Sequence, residues 1–267
     1  MRILVCFKVV PELDQLRAPD WVQPGSGEPP LQYCKRSLNS YDESALEWSL
    51  RIADAAKKNG DEVDISAVTV GGDHNDAACK TLSALPFARV AQISFPFQRH
   101  FNPRGIAHVL AAYAKKEGPF DLILMGQQAG VGDHGMTPAH LAARLGFPCL
   151  QQVRQLSPAA QGLDILRNAD GGTLRQVIRL PAVLSIGDSD VNYLRVPTLR
   201  QRMQARPPES IAFETLGISP NNISSTQQSA HSFHRQQTDR QCQWISADNA
   251  QECAEALHAL LCEKGAL

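Results

Sequence analysis

The sequence lacks a charge excess of either sign. Its 267 residues carry 26 Lys+Arg against 27 Asp+Glu, a formal net charge of −1. Nucleic-acid binding usually leaves a basic domain or stripe, so no nucleic-acid partner is expected. A long apolar run is also missing. Nothing approaches the ~20 residues that a membrane-spanning helix needs, and no membrane span is expected. The apolar start Met1–Phe7 is short, is closed by Lys8 and has no small-residue cleavage pattern. It reads as a strand rather than a signal peptide. The seven cysteines (Cys6, Cys34, Cys79, Cys149, Cys242, Cys253 and Cys262) include no C-x-x-C pair. Neither a disulfide framework nor a zinc site is expected, and a cytoplasmic, reducing compartment is the one implied. H-E-x-x-H and G-x-S-x-G are absent as well, so no metal or nucleophilic catalytic motif stands out.

What is present is a strand–helix rhythm. Hydrophobic residues make up 43% of the chain, close to the globular norm. Apolar runs at Ile3–Val10, Val63–Val70, Val90–Phe95 and Asp121–Met125 predict strands buried on both faces. Between them, helices are predicted over 40–58, 73–84, 103–117 and 137–146. The first is signalled by the S-x-x-E spacing of Ser40 and Glu43, a capping box, and by the stop at Gly60. Asn102 before Pro103, and Thr137 before Pro138, mark the last two starts. Four repeats of this rhythm predict a Rossmann-like open parallel sheet with helices on both faces.

After Pro148 the rhythm changes. Short strands at 150–156, 163–167 and 174–179, separated by turns, predict a β-meander or hairpin insertion over about 150–180. Leu180–Ile186 is one more apolar strand, and a loop follows over about 187–197. Residues 219–242 are rich in Ser, Gln and Asn and read as a polar arm. Residues 250–263 have helical spacing. The predicted organisation is an α/β domain over 1–218, then the arm and a C-terminal helix over 219–267.

Three groups of residues are candidates for function. The loop Gly126–Gly135 follows a strand, precedes a helix and contains G-x-G-x-x-G at 130–135. Its glycines would let backbone N–H groups approach phosphate, and the following helix adds its positive end. It follows the fourth strand rather than the first and lacks the acidic residue about 20 positions on, so it is weak as a dinucleotide fingerprint, and a flexible turn between strand and helix is the alternative to phosphate binding. The ends of strands one, two and four, with Asn39–Asp42, could converge where ligands bind in open sheets. Asp133, His134 and His140 form a second group, but a spacing of six separates the two histidines on a helix. Asp188 and Asp190 could act as a carboxylate pair or be ordinary turn residues. The third group is Val191, Tyr193 and Leu194, apolar residues in a loop that reads as exposed, which would either make a partner contact or fold back onto the core.

Four segments, in order over about 2–206, carry a family resemblance. They are Lys8-Val9-Val10-Pro11-Glu12; Asn39-Ser40-Tyr41-Asp42-Glu43 through Glu47 with Leu50-Arg51; Leu124-Met125-Gly126-Gln127-Gln128-Ala129; and Leu180-Pro181-Ala182-Val183 with Arg195, Pro197-Thr198-Leu199 and Met203-x-Ala205-Arg206. With these the chain resembles the β subunit of electron transfer flavoproteins, in the FixA-type group. The resemblance implies a non-catalytic electron carrier that pairs with an FAD-carrying α subunit, accepts electrons from a dehydrogenase and buries a structural AMP. It implies AMP contacts at Cys6, Asn39, Ser40, Tyr41, Asp42, Val70 and Gly126, Gln127, Gln128, Ala129, Gly130, Val131, Gly132, Asp133, His134, Gly135, Met136 and Thr137. It places Tyr41 near the flavin and makes Val191 the side chain that docks into a dehydrogenase, beside Tyr193 and Leu194 of the same loop. The polar arm and last helix would wrap the α subunit. The chain departs from the family pattern at Gly130, Val131, Met136 and Pro138, which marks it as a divergent member. Two alternatives of the same fold are a flavin-independent adenine-nucleotide sensor or hydrolase-like protein, and a pure scaffold.

Overall fold

A computed structural model describes residues 1–21, 31–95, 102–132, 134–159, 161–219, 223 and 242–266. The chain divides into two compact units, Met1–Ser232 and Phe233–Leu267. The larger is built on a nine-stranded sheet in the order β11-β5-β4-β1-β6-β10-β7-β8-β9. The strands are β1 (Arg2–Cys6), β4 (Asp64–Gly71), β5 (Arg89–Ser94), β6 (Leu122–Gly126), β7 (Cys149–Ala159), β8 (Gly162–Ala169), β9 (Gly172–Ile178), β10 (Ala182–Ile186) and β11 (Glu209–Ala212). From β11 to β7 every pairing is parallel. The β7–β8 and β8–β9 pairings are antiparallel and form the expected meander. A separate antiparallel pair, β2 (Val9–Pro11) with β3 (Arg36–Leu38), sits just after β1.

The sheet is covered on both faces because its central strands are buried at successive positions, most of them apolar. In β1, Ile3 and Val5 face one core with Leu46, Leu50 and Leu82. These come from α1 (Ser40–Lys58) and α2 (Asp76–Ser83). Leu4 and Cys6 face the other core with Val109, Tyr113 and Leu141, supplied by α3 (Pro103–Glu117) and α4 (Thr137–Leu145). This alternation is the period of two of a strand. It explains why these runs lack the polar positions of a half-exposed strand. The Rossmann-like α/β class expected from the rhythm is the one observed.

Helix starts differ in detail from the sequence signals. Asn102 caps α3 as expected, accepting from the Gly105 N–H at 2.7 Å. For α1 the cap position is Asn39, and Ser40 is the first helical residue, so the Ser40–Glu43 capping box does not form. Thr137 is likewise inside α4, with Met136 at its cap position and no side-chain cap bond. Elements that escaped the sequence reading include the short strand β3, the edge strand β11 and the short helix α5 (Leu199–Gln204), which starts with a capping box at Thr198 and Gln201. In the second unit, α6 (Ala250–Glu263) matches the expected final helix, with Asn249 accepting from the Glu252 N–H at 2.9 Å. Among the described residues, no helix is long and apolar enough to cross a membrane.

The loop after β10 is strapped to α1. The Arg195 guanidinium donates to Glu47 at 2.9 and 3.0 Å and to Asp54 at 2.8 Å. The Arg195 N–H adds a bond to Glu47 at 3.1 Å. Trp48 Nε1 donates to Ser189 Oγ at 2.7 Å, and the Tyr41 hydroxyl donates to Asp188 at 3.3 Å. Burial pushes the Glu47 carboxyl up, but the Arg195 and Arg51 bonds outweigh it and hold the group below the usual carboxylate range. The Arg195→Ala variant should lose about 1–3 kcal/mol, discounted for the partly exposed arginine. It should also be cut faster by chymotrypsin at Tyr193. Urea denaturation and limited proteolysis provide the check, and an unchanged cleavage rate would contradict the strap.

Candidate functional site

The parallel strand order reverses between β1 and β6: the chain runs β1, β4, β5 to one side and β6, β10 to the other. Ligands in open α/β sheets bind beyond the carboxyl ends of strands at such a point. A cavity of about 420 Å³ lies there, within the range of small-molecule sites. Its lining comes from the end of β1 (Cys6, Phe7, Lys8), the end of β4 (Val70, Gly71, Gly72) and the following turn (His74, Asn75). The start of α3 (Asn102, Pro103, Ile106), the loop after β6 and the first residues of α4 (Thr137, Pro138) complete it.

Asp42 ties these elements together. It is buried, in the first turn of α1. One carboxylate oxygen accepts from the Gly126 N–H at 2.6 Å. The other accepts from the Lys8 N–H and from Asn39 Nδ2, both at 3.0 Å. Asn39 Nδ2 also donates to the Gln128 carbonyl at 2.8 Å, so the residue at the cap position serves the site instead of the helix end. Gly126 has no alternative here: a Cβ would lie 2.6 Å from Asp42 Oδ1 and 2.9 Å from the Asp42 nitrogen. The Lys8 ammonium donates to the Val131 carbonyl at 2.6 Å, holding the glycine-rich loop over the end of β1.

Burial dominates the electrostatics. It raises the Asp42 carboxyl to about 6, against the lowering effect of its Asn39, Gly126 and Lys8 bonds. Burial also lowers the Lys8 ammonium, with the Asp42 charge opposing it. The Cys6 thiol is pushed up by burial and then by Asp42, which keeps it in the unreactive thiol form.

Of the residues anticipated as nucleotide contacts, the cavity brings together Cys6, Asn39, Asp42, Val70, Gly126, Gln127, Gln128, Ala129, Val131, Gly132, His134, Gly135 and Thr137. Ser40, Tyr41, Gly130 and Met136 do not line it. Ser40, Gly130 and Met136 are exposed, whereas Tyr41 is half-buried and packs its Cβ against Gly126. Asp133 lies outside the described residues. Lining residues that the motif reading did not single out as contacts include Lys8, Arg36, Asn75 and Phe95. Lys8 was legible as the residue ending the first strand, but nothing local marks Asn75.

The loop after β10 brings a correction. Val191, expected to be an exposed apolar group, is 2% exposed, and its N–H donates to Ser189 Oγ at 3.1 Å. A small side chain in a strapped loop folds back onto the core. The exposed apolar side chains there are Tyr193 at 64% and Val196 at 78%, while Leu194 packs against the core.

Fold and cavity together define an open-sheet α/β protein of Rossmann-like class with its cleft at the switch point. Residues 32–214 match the family described as the electron transfer flavoprotein domain. The chain is 31% identical to an electron-transfer-flavoprotein-type subunit, YgcR, of Escherichia coli (strain K12), over 79% of this chain and 80% of that protein. It is 31% identical to the electron transfer flavoprotein subunit beta of Bos taurus, over 64% and 66%. With that of Bacillus subtilis it shares 28% identity, over 68% and 69%. The chain belongs to the electron transfer flavoprotein family, as a divergent member of its β type.

Two expectations follow from the site. In Gly126→Ala, backbone and Asp42 must shift, so unfolding stability should fall by about 2 kcal/mol or more. An unchanged urea midpoint would contradict the packing described. The second concerns pH. Asp42 binds its proton more tightly folded (about 6) than unfolded (3.8). Its contribution is therefore fully present below pH 3.8 and lost as pH rises through about 6. Between pH 5 and 7.5, wild type should lose on the order of 1–2 kcal/mol relative to Asp42→Asn. A flat difference between their pH profiles would show that Asp42 does not titrate there.

Proposed function

We propose that this protein is the β-type half of an electron-transferring flavoprotein, holding AMP in the switch-point cavity and pairing with an α-type subunit that carries most of the FAD. The observation that supports this best is the cavity itself. It is lined by glycine-rich backbone, a partly free ammonium and a helix start, together with a set of apolar side chains.

The residues present fit a nucleoside monophosphate. The Lys8 ammonium has three donors and spends one on Val131, which leaves two for phosphate oxygens. Gly132 and Gly135 both have positive φ, 90° and 60°, conformations that glycine adopts at little steric cost, and both line the cavity. The start of α4 adds unbonded N–H groups and the positive end of its dipole. Val70, Phe95, Ile106, Leu110 and Met125 line the rest of the cavity and suit a base and ribose face. Asp42 does not repel the phosphate strongly, because its oxygens are already occupied by three donors. Its role is to hold Gly126 and Lys8 in place.

FAD, held mainly by the partner, supplies the electron-carrying ring system when bound. Tyr41 is placed on this chain's side of the flavin, oriented by Asp188. Tyr193 and Val196 replace Val191 as the apolar contacts for an electron-donating dehydrogenase, with Leu194 packed beneath them. Redox encounters of this kind use small interfaces, and two exposed apolar side chains on a strapped loop meet that need. The polar arm and α6 engage the α-type subunit.

The test is to co-express the chain with an α-type electron transfer flavoprotein subunit from the same source, purify the pair and identify the nucleotides released on denaturation. FAD and AMP, each near one per pair, are expected. A folded pair without FAD would overturn the carrier reading. A pair with FAD and without AMP would keep the carrier role and remove the nucleotide from the cavity.

A further inference from the structure

Asn75 follows β4 in the turn that leads into α2, and it lines the cavity. It is 1% exposed, yet its Nδ2 has no hydrogen-bond partner among the described residues. A buried donor without an acceptor is costly to the fold. The surroundings preserve it. A Cβ on Gly71 would stand 2.6 Å from Asn75 Nδ2, so that glycine leaves room for the amide. Another carboxamide in the same wall, Asn102, is committed elsewhere: it accepts from the Gly105 N–H and donates to the Ile223 carbonyl.

The topology says which part of a ligand Asn75 meets. β4 and β6 flank β1 on opposite sides, so their ends stand roughly 10 Å apart. The phosphate-type donors belong to the β6 side: Lys8, the glycine-rich loop and the start of α4. Asn75 belongs to the β4 side, where Val70, Phe95 and Ile106 make an apolar wall. A planar heterocycle fits such a wall, and a ring nitrogen on it supplies the acceptor that Nδ2 lacks.

We propose that Asn75 is a specificity-determining residue that donates a hydrogen bond from Nδ2 to a ring-nitrogen acceptor on the base of the bound nucleotide. This rests on the nucleotide reading given above. It also accounts for a buried donor left unpaired in the fold: the ligand completes it, at a cost to the empty protein.

The experiment measures binding of AMP and of ribose 5-phosphate, which has no base, to the full chain freed of nucleotide. Wild type, Asn75→Leu and Asn75→Asp are compared, with thermal unfolding of each unliganded chain. Both variants should bind AMP about tenfold or more weakly, with ribose 5-phosphate affinity unchanged. Unliganded Asn75→Leu should melt at or above the wild-type temperature, because an unpaired donor has become apolar. AMP binding unchanged in either variant would overturn the inference, as would equal weakening of both ligands. Should Asn75→Leu fail to fold, the nearly isosteric Asn75→Asp decides alone. If wild type binds neither ligand, the nucleotide reading fails, a result distinct from failure at Asn75.

Discussion

One buried carboxylate holds the functional end of this molecule together. Asp42 accepts the N–H of Lys8, just beyond β1, and the N–H of Gly126, at the end of β6. These are the two strands between which the sheet order reverses. Without an acceptor there, two strand-end N–H groups would be left unpaired in a buried place, each at a cost of about 1–3 kcal/mol, and the Asn39 amide would keep only its bond to Gln128. The cavity is open because Asp42 draws these elements toward the first turn of α1 and leaves the loop beyond Gly126 to arch over the space.

The same helix fixes the loop after β10. Glu47 lies five residues after Asp42, a rotation of roughly 140° about the helix. One carboxylate therefore faces the strand ends while the other faces Arg195. Both are buried, and both are satisfied by several donors, the condition under which a buried charge is tolerated. Cavity and exposed loop are two faces of one rigid element. The loop after β10 therefore stays in register with the cavity.

Much of this was legible in the sequence, for physical reasons. β1, β4, β6 and β10 are buried on both faces, so they appear as largely apolar runs broken only by small polar residues such as Ser66, Thr69 and Ser185, and the helices between them show clear ends. The segment Asn39–Glu47 was visible as a motif, but its work was not. Ser40 and Glu43 have capping spacing, yet the cap position falls at Asn39, whose amide is drawn to Asp42 and Gln128. The Glu47–Arg195 pair joins residues 148 positions apart, and no local pattern announces it. Val191 was misread because composition does not say which way a loop side chain turns. β11 was missed because an edge strand of four residues with one buried position carries almost no periodic signal. Asn75 has no motif at all, and its burial beside Gly71 exists only in three dimensions.

The proposed nucleotide site calls for a phosphate group between Lys8 and the loop after β6. Phosphorus NMR of the full chain, purified without added nucleotide, tests this most directly. The account predicts a broadened, protein-bound phosphomonoester resonance that sharpens to that of free AMP on denaturation. Lys8→Met should weaken retention of that signal through gel filtration. A folded chain that shows no bound phosphorus, and acquires none when AMP is added, would contradict it.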